Sequence, residues 1–310
     1  MIESLLLKQM TEDSLLSATL TKYGGEPSVF YQTAPPDEDS NWDEMCFPRL
    51  QFNLDFSYDP ERNRAGVLTV DVFTCALNQS ADGRNPDRIL SERLEEIISG
   101  MFYTPKGGQT FSAVWQNSEA YVFKDESEVE TFGITVTFDL IAFPKQETFS
   151  PDPIVGLQSW AKENFPSVKV IGLEDLPELW RPSDEEPALY WRMTGAEATR
   201  EMFACTWYMG EFYGHISCDS LEERNRWARA ISEGISGGYS LKLDDGSFLR
   251  IEKNLFRHDG NPLSEGQIAL SGEFGVLSQR YTGVSSDIPL NNGHFTKKEE
   301  CSIWNKNKLN

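Results

Sequence analysis

The stretch from Val67 to Gly100 runs a strand pattern straight into an amphipathic helix pattern. Such a helix has one apolar face and must lay it on something. Val67-Leu-Thr-Val-Asp-Val-Phe73 is built from residues that suit a pleated, half-buried surface. Asn85 is a good N-cap, Pro86 takes the first helical position, and Asp87 lies in the positive first turn. Leu90, Leu94, Ile97 and Ile98 share one helical face. Ser99-Gly100 ends the helix, with Gly100 suited to a left-handed cap. The helix therefore covers a sheet to which its own preceding strand belongs.

The same unit returns in the second half. Phe203 to Met209 is strand-like, and Ser220-Leu-Glu-Glu223 is a capping box. It opens a helix with Leu221, Arg224, Ala228, Ile231 and Ile235 on one face, ended by Gly237-Gly238. The flanks repeat as well. Strands are expected at Leu50–Phe56 and, after Pro187, at Ala188–Met193. After the helices come Phe111–Val114 and Ala120–Phe123 in one half, Leu241–Leu243 and Phe248–Ile251 in the other. Closing strands follow Gly133 and Gly266, and Asp244-Asp245-Gly246-Ser247 reads as a hairpin turn. The expected fold class is α+β: two similar domains, each a mainly antiparallel sheet packed by two helices. Element order alone also admits two unrelated α+β domains.

The ends and the junction fill in this plan. Leu5, Leu6, Met10, Leu15, Leu16 and Leu20 form an N-terminal helical stripe that Thr11 to Ser14 can interrupt. Pro27 to Gln32 is a strand, and Ala34 to Glu44 an acidic loop containing Trp42. The second half offers a short helix at Ile154–Asn164, a strand at Ser167–Ile171 and an acidic loop, Glu174 to Glu186, containing Trp180. A Trp in an acidic loop is usually pinned on its own domain; the other outcome makes Trp42 and Trp180 partner-interface residues. Three prolines between Phe143 and Pro153 mark a stiff linker. The expected divisions are 1–145, a linker at 146–152, 153–281, and a polar arm at 282–310 with Phe295, Ile303 and Trp304 as docking candidates. That arm has too few apolar residues to bury a core.

Charge and cysteine usage exclude several function classes. The chain carries a net −21, of which residues 1–150 contribute 25 acidic against 11 basic side chains, or −14. Phosphate binding needs clustered Lys and Arg, so nucleic acid is not expected to be wrapped, only repelled. Cys46, Cys75, Cys205, Cys218 and Cys301 make neither a disulfide framework nor a CxxC site, which fits assembly in a reducing compartment. No signal-peptide pattern and no membrane-length apolar run appear.

Catalytic patterns are missing. His215 follows a strand, His258 lies by a turn, His294 is in the tail, and no pair has metal-ligand spacing. No GxSxG, P-loop or GxGxxG occurs. Asp37-Glu38-Asp39 and Asp43-Glu44 read as solvated loop charge. The expectation is no enzyme, no cofactor and no metal.

In element order each half resembles the tail terminator (tail completion) proteins of tailed bacteriophages. The residues that carry this are the helix Ile2 to Leu20, the strand Ser28 to Gln32, and the acidic loop leading through Phe47-Pro48-Arg49-Leu50. The unit Val67 to Ser99 and the strand Ile134 to Leu140 complete it. Residues 1–145 fit well and 153–280 more loosely. The resemblance implies a structural virion protein that forms a ring capping the tail tube at the tail–head junction. The implied partners are itself, as a hexameric or pseudo-hexameric ring, the tail tube protein and head–tail connector proteins. DNA would pass the lumen unbound, with no membrane involved. Another ring protein of the neck or distal tail, or an intracellular α+β binding module, are the alternatives. Three chains with alternating halves, or six with the first half in the ring, both fit the linker's reach. A shortened first helix and an altered connection at Thr194–Met202 favour six.

Overall fold

The computed structural model describes residues 2–43, 45–56, 65–75, 86–124, 130–238, 240–258 and 266–277. Asn85, Cys301 and the arm from 282 onward, with Phe295, Ile303 and Trp304, lie outside them. From the N-terminus, α1 (Ile2–Glu12) and α2 (Ser14–Thr19) lead to the short strands β1 (Lys22–Tyr23), β2 (Glu26–Pro27) and β3 (Val29–Tyr31). β4 (Arg49–Phe56), β5 (Gly66–Cys75), α3 (Pro86–Ile98), β6 (Phe102–Tyr103), β7 (Thr110–Lys124) and β8 (Glu130–Phe143) follow. Then come α4 (Pro153–Asn164), β9 (Lys169–Val170), β10 (Leu179–Trp180), β11 (Ala188–Glu201) and β12 (Cys205–Ser217). α5 (Leu221–Gly238), β13 (Ser240–Lys242), β14 (Phe248–Phe256) and β15 (Ile268–Leu277) complete the described chain.

The architecture is α+β, built on two mixed sheets. The first has the order β10-β6-β7-β8-β5-β4-β3 and the second β13-β14-β15-β12-β11-β9; β1 and β2 form a separate hairpin. Leaving β10 aside, the two orders match strand for strand. Each sheet has one parallel pair, β3–β4 and β9–β11, at the same edge. The register matches too. Val29 faces Leu50, which faces Val72; Val170 faces Leu189, which faces Ile216. Phe52, Val70 and Val136 lie in one row, as do Trp191, Gly214 and Ile268. The larger Trp191 is accommodated because its neighbour is glycine: a Cβ on Gly214 would lie 2.8 Å from the indole. The two rows divide their volume differently between the two strands.

Each sheet buries one face under helices. Leu68, Val70 and Val72 of β5 alternate with half-buried residues, and α3 covers them with Leu90, Leu94 and Ile98. In the second core α5 contributes Ala228, Ile231 and Ile235. Leu221, expected on that face, is 62% exposed. Ser220 caps the helix through the Glu223 N–H at 3.2 Å, so Leu221 sits in the first turn and points outward. The N-terminal stripe does break: Asp13 accepts the N–H groups of Leu15 and Leu16 at 3.1 and 3.0 Å and starts α2. Leu15 is turned outward as a result.

Several expectations are corrected. Phe111–Val114 and Ala120–Phe123 are not two strands but parts of β7, with an irregularity between Trp115 and Asn117. The counterpart of β13 is instead β6, too short to stand out as a strand. Thr194–Met202 is not a connection: all but Met202 belongs to β11, which pairs with β12 to its end. His215 lies inside β12, buried, rather than after a strand. The 174–186 loop contains β10. α4, at 12 residues, is no shorter than α1, at 11; what the second half lacks is a counterpart of α2. Of the two grounds for six chains over three, the altered connection falls away, while the shorter helical start of the second half remains as the missing counterpart of α2.

Leu94 is fully buried, so Leu94→Ala is expected to cost about 2–5 kcal/mol in denaturant titration. Asp13 also receives a bidentate bond from Arg93, with Arg93 Nη2 2.6 Å away. Burial pushes its carboxyl pKa up, but the Arg93 and backbone hydrogen bonds outweigh this and hold it below the ordinary value. Its stabilisation is therefore full above about pH 4 and is lost as pH falls through the lower folded value. Asp13→Asn is expected to lower the unfolding midpoint at pH 7 and to make progressively less difference as the pH falls below about 4.

Candidate functional site

Where the two halves meet, the second completes the first. Beyond β8 the chain lies along the second sheet. Tyr190 donates its hydroxyl hydrogen to the Pro144 carbonyl at 2.8 Å, and Met193 N–H donates to Gln146 Oε1 at 2.8 Å. Phe149 packs on Tyr208 and Phe274, with ring centroids 5.0 and 5.1 Å apart. Asp152 accepts Thr148 N–H at 2.6 Å and caps α4 through Ile154 N–H at 2.8 Å. The proline-rich linker is thus docked, not a free spacer.

The 178–181 segment then returns to the first half. Leu179 pairs with Tyr103 and Trp180 with Phe102, adding β10 to the edge of the first sheet. Thr104 N–H donates to the Glu178 carbonyl at 2.8 Å. Trp180 lies 4.9 Å from Phe102, which stacks on Phe143 at 5.2 Å. Phe143 meets Tyr190 edge-on at 5.3 Å. Phe102, Ile141 and Phe143 from one half and Ile171, Ala188 and Tyr190 from the other form one buried cluster. Arg181 Nη2 donates to the carbonyls of Glu96, Ile97 and Ser99 at 2.5, 3.3 and 2.9 Å. These carbonyls end α3 and have no helical partner, so a cation there satisfies both the acceptors and the helix dipole. Tyr103, raised far above its usual pKa by burial, stays a phenol and donates to Gln9 Oε1 at 2.8 Å.

Of the expected interface residues, Trp180 faces a partner inside the chain. Trp42 is held on its own half: its indole N–H donates to the Pro36 carbonyl at 2.9 Å and its ring packs on Tyr23 and Phe30. Phe102, Phe143, Arg181 and Tyr190 were missed. Arg181 had a signal, being the only cation between Glu174 and Glu186.

Among the described residues no group of three or more His, Cys, Asp or Glu side chains is placed to hold a metal. His258 packs on Phe256 at 4.5 Å. Burial and Asp184 push the Cys218 thiol up to about 12, so it stays protonated, and burial raises Cys46 as well. Among the described residues no helix is long and apolar enough to cross a membrane. Compared with known proteins, the chain matches no protein family and no curated protein is significantly similar to it.

Replacing both Trp180 and Arg181 by Ala removes the ring contact and the helix cap. Calorimetry of this variant is expected to give two separate unfolding transitions where the intact chain gives one. A single, unshifted transition would show that the seam does not couple the halves.

Proposed function

We propose that the chain is a fused pair of related α+β domains, each a mainly antiparallel sheet with helices on one face, and that it works by assembly. In this role it is a structural virion protein of the tail-terminator type, a ring that caps the tail tube at the tail–head junction. It binds its own copies, the tube and the connector proteins. It is not an enzyme and uses no cofactor. The observation that carries this is the seam: one domain is already completed by an edge strand and a helix cap from a second domain of the same strand order. A unit joined in this way is a building block.

Two further features support it. β11 beyond Met193 is exposed on both faces, and the turn after it carries Met202 and Phe203, the latter 81% exposed. Val122 near the end of β7 is also exposed. Long hairpins that leave the core with apolar ends serve contacts outside the chain. The acidic first half suits a lumen from which DNA must slide freely.

Sedimentation of the pure protein over a range of concentrations, with electron microscopy of the protein mixed with tail tubes, tests the proposal. Closed rings, alone or seated on tube ends, are expected. A protein that stays monomeric at every concentration and leaves tube ends bare would overturn it.

A further inference from the structure

We propose that the open edge of β7 beyond Trp115 pairs antiparallel with the same edge of a second copy of this chain, about a two-fold axis at Tyr121. The contact goes beyond the ring reading and does not depend on it.

Where β7 crosses the core its outer edge is taken. Phe102 and Tyr103 pair with Ser112 and Phe111. Gly100 N–H donates to the Ala113 carbonyl at 2.8 Å and Ala113 N–H to the Met101 carbonyl at 3.3 Å. Trp115 N–H donates to Ser99 Oγ at 3.3 Å. From Asn117 to Lys124 the strand runs on, paired on one side with Thr137 to Glu130 of β8 and with no further register shift. Among the described residues no strand lies along its other side there.

An open edge is a template for another strand, and chains that must stay apart blunt such edges with bulges and charges. The other long strand that overruns its core is blunted in this way: β11 beyond Met193 shifts register twice and carries Glu197, Arg200 and Glu201. Between Asn117 and Phe123, β7 has no shift and Glu119 as its single charge. The remaining edge strands, β3, β9, β10 and β13, have two or three residues each. Among the described residues, a second β7 is therefore the one unbroken edge of equal length that this chain can offer.

The side chains favour the same partner. Ser118, Ala120 and Val122 stand opposite Val136, Ile134 and Phe132 of β8. Val136 and Ile134 are buried, whereas Ser118 and Ala120 are exposed and Val122 is 60% exposed. The rows of the sheet thus stop at an uncovered strand. With the axis at Tyr121, Ala120 meets Val122 of the second copy, and the row Ile134–Ala120 continues into the row Val122–Phe132 of that copy. Glu119 meets position 123 and Ser118 meets position 124, so no charge stands opposite its like. An axis at Glu119 would set two carboxylates face to face, and one at Ala120 would put them on a diagonal of the same face. The contact is isologous and closes at two copies, so a ring needs a further surface.

Sedimentation of the full-length chain tests it. Ala120→Lys with Val122→Lys places like charges opposite each other and is expected to weaken dimerisation about tenfold in dissociation constant. Ala120→Glu with Val122→Glu should do the same. Mixing the two variants should restore association, because opposite charges then face each other. Tyr121→Cys should give a covalent dimer on mild oxidation beyond any the native chain gives, since directly opposed residues of a strand pair lie within disulfide reach. Ser118→Cys, far from its own copy in this register, should not. Circular dichroism checks that the variants fold. If the native protein associates but the charged variants associate equally well, or mixing gives no rescue, or Tyr121→Cys gives no covalent dimer, this contact is overturned and the ring proposal stands. A native protein that is monomeric at every concentration overturns both.

Discussion

Edge completion is the constraint on which the rest of the structure depends. β6 has only two residues, Phe102 and Tyr103, and a strand so short gains little from pairing with β7 alone. It is secured from both sides of the sheet and from its far edge. Tyr103 points into the first core, Phe102 into the cluster shared by the two halves, and Leu179–Trp180 takes the open backbone edge. Arg181 then satisfies the carbonyls at the end of α3, the helix that leads into β6. Remove the second half, and the first keeps its core but loses a strand, a helix cap and the cover of an aromatic patch.

The two sheets show how much side-chain change a fixed register tolerates. Phe52 over Val70 and Trp191 over Gly214 fill the same row with different volumes divided between two strands. The row survives because a slip of one residue would turn every buried side chain to the opposite face. The outer faces carry no such constraint, and there the halves differ freely: Phe102 and Ile141 in the first, Ser240 and Glu273 in the second, aligned through Ser112–Ile141 and Arg250–Glu273 pairing.

That contrast explains what could be read from the sequence. The helices at 86–98 and 221–238 were legible because apolar spacing, caps and terminal glycines agree. The long inner strands were legible from β-branched and aromatic runs. β6 was not, since two residues carry no period, and the outer half of β11 was not, since Thr194-Gly-Ala-Glu-Ala-Thr-Arg-Glu201 has no apolar alternation to mark a strand. Its pairing is imposed by β12 and shifts register twice along the way. The seam was only half legible. Trp180 was visible as an odd residue in an acidic loop, but its partner, 78 positions upstream by Trp180–Phe102 pairing, leaves no local trace.

Holding both sheets in one chain changes the energetics of the seam between them. Two separate domains must give up translational and rotational freedom to meet, a cost that single two-strand edges do not readily offset. Joined by a seven-residue linker that spans at most about 25 Å, they meet at high effective concentration, and the seam forms as part of folding. It can then afford an apolar, aromatic character, because Phe102 and Trp180 are never exposed together in solution. An aromatic seam of this kind is open to a contact within one chain, where its two members meet as the chain folds, and is closed to one whose members must first meet in solution.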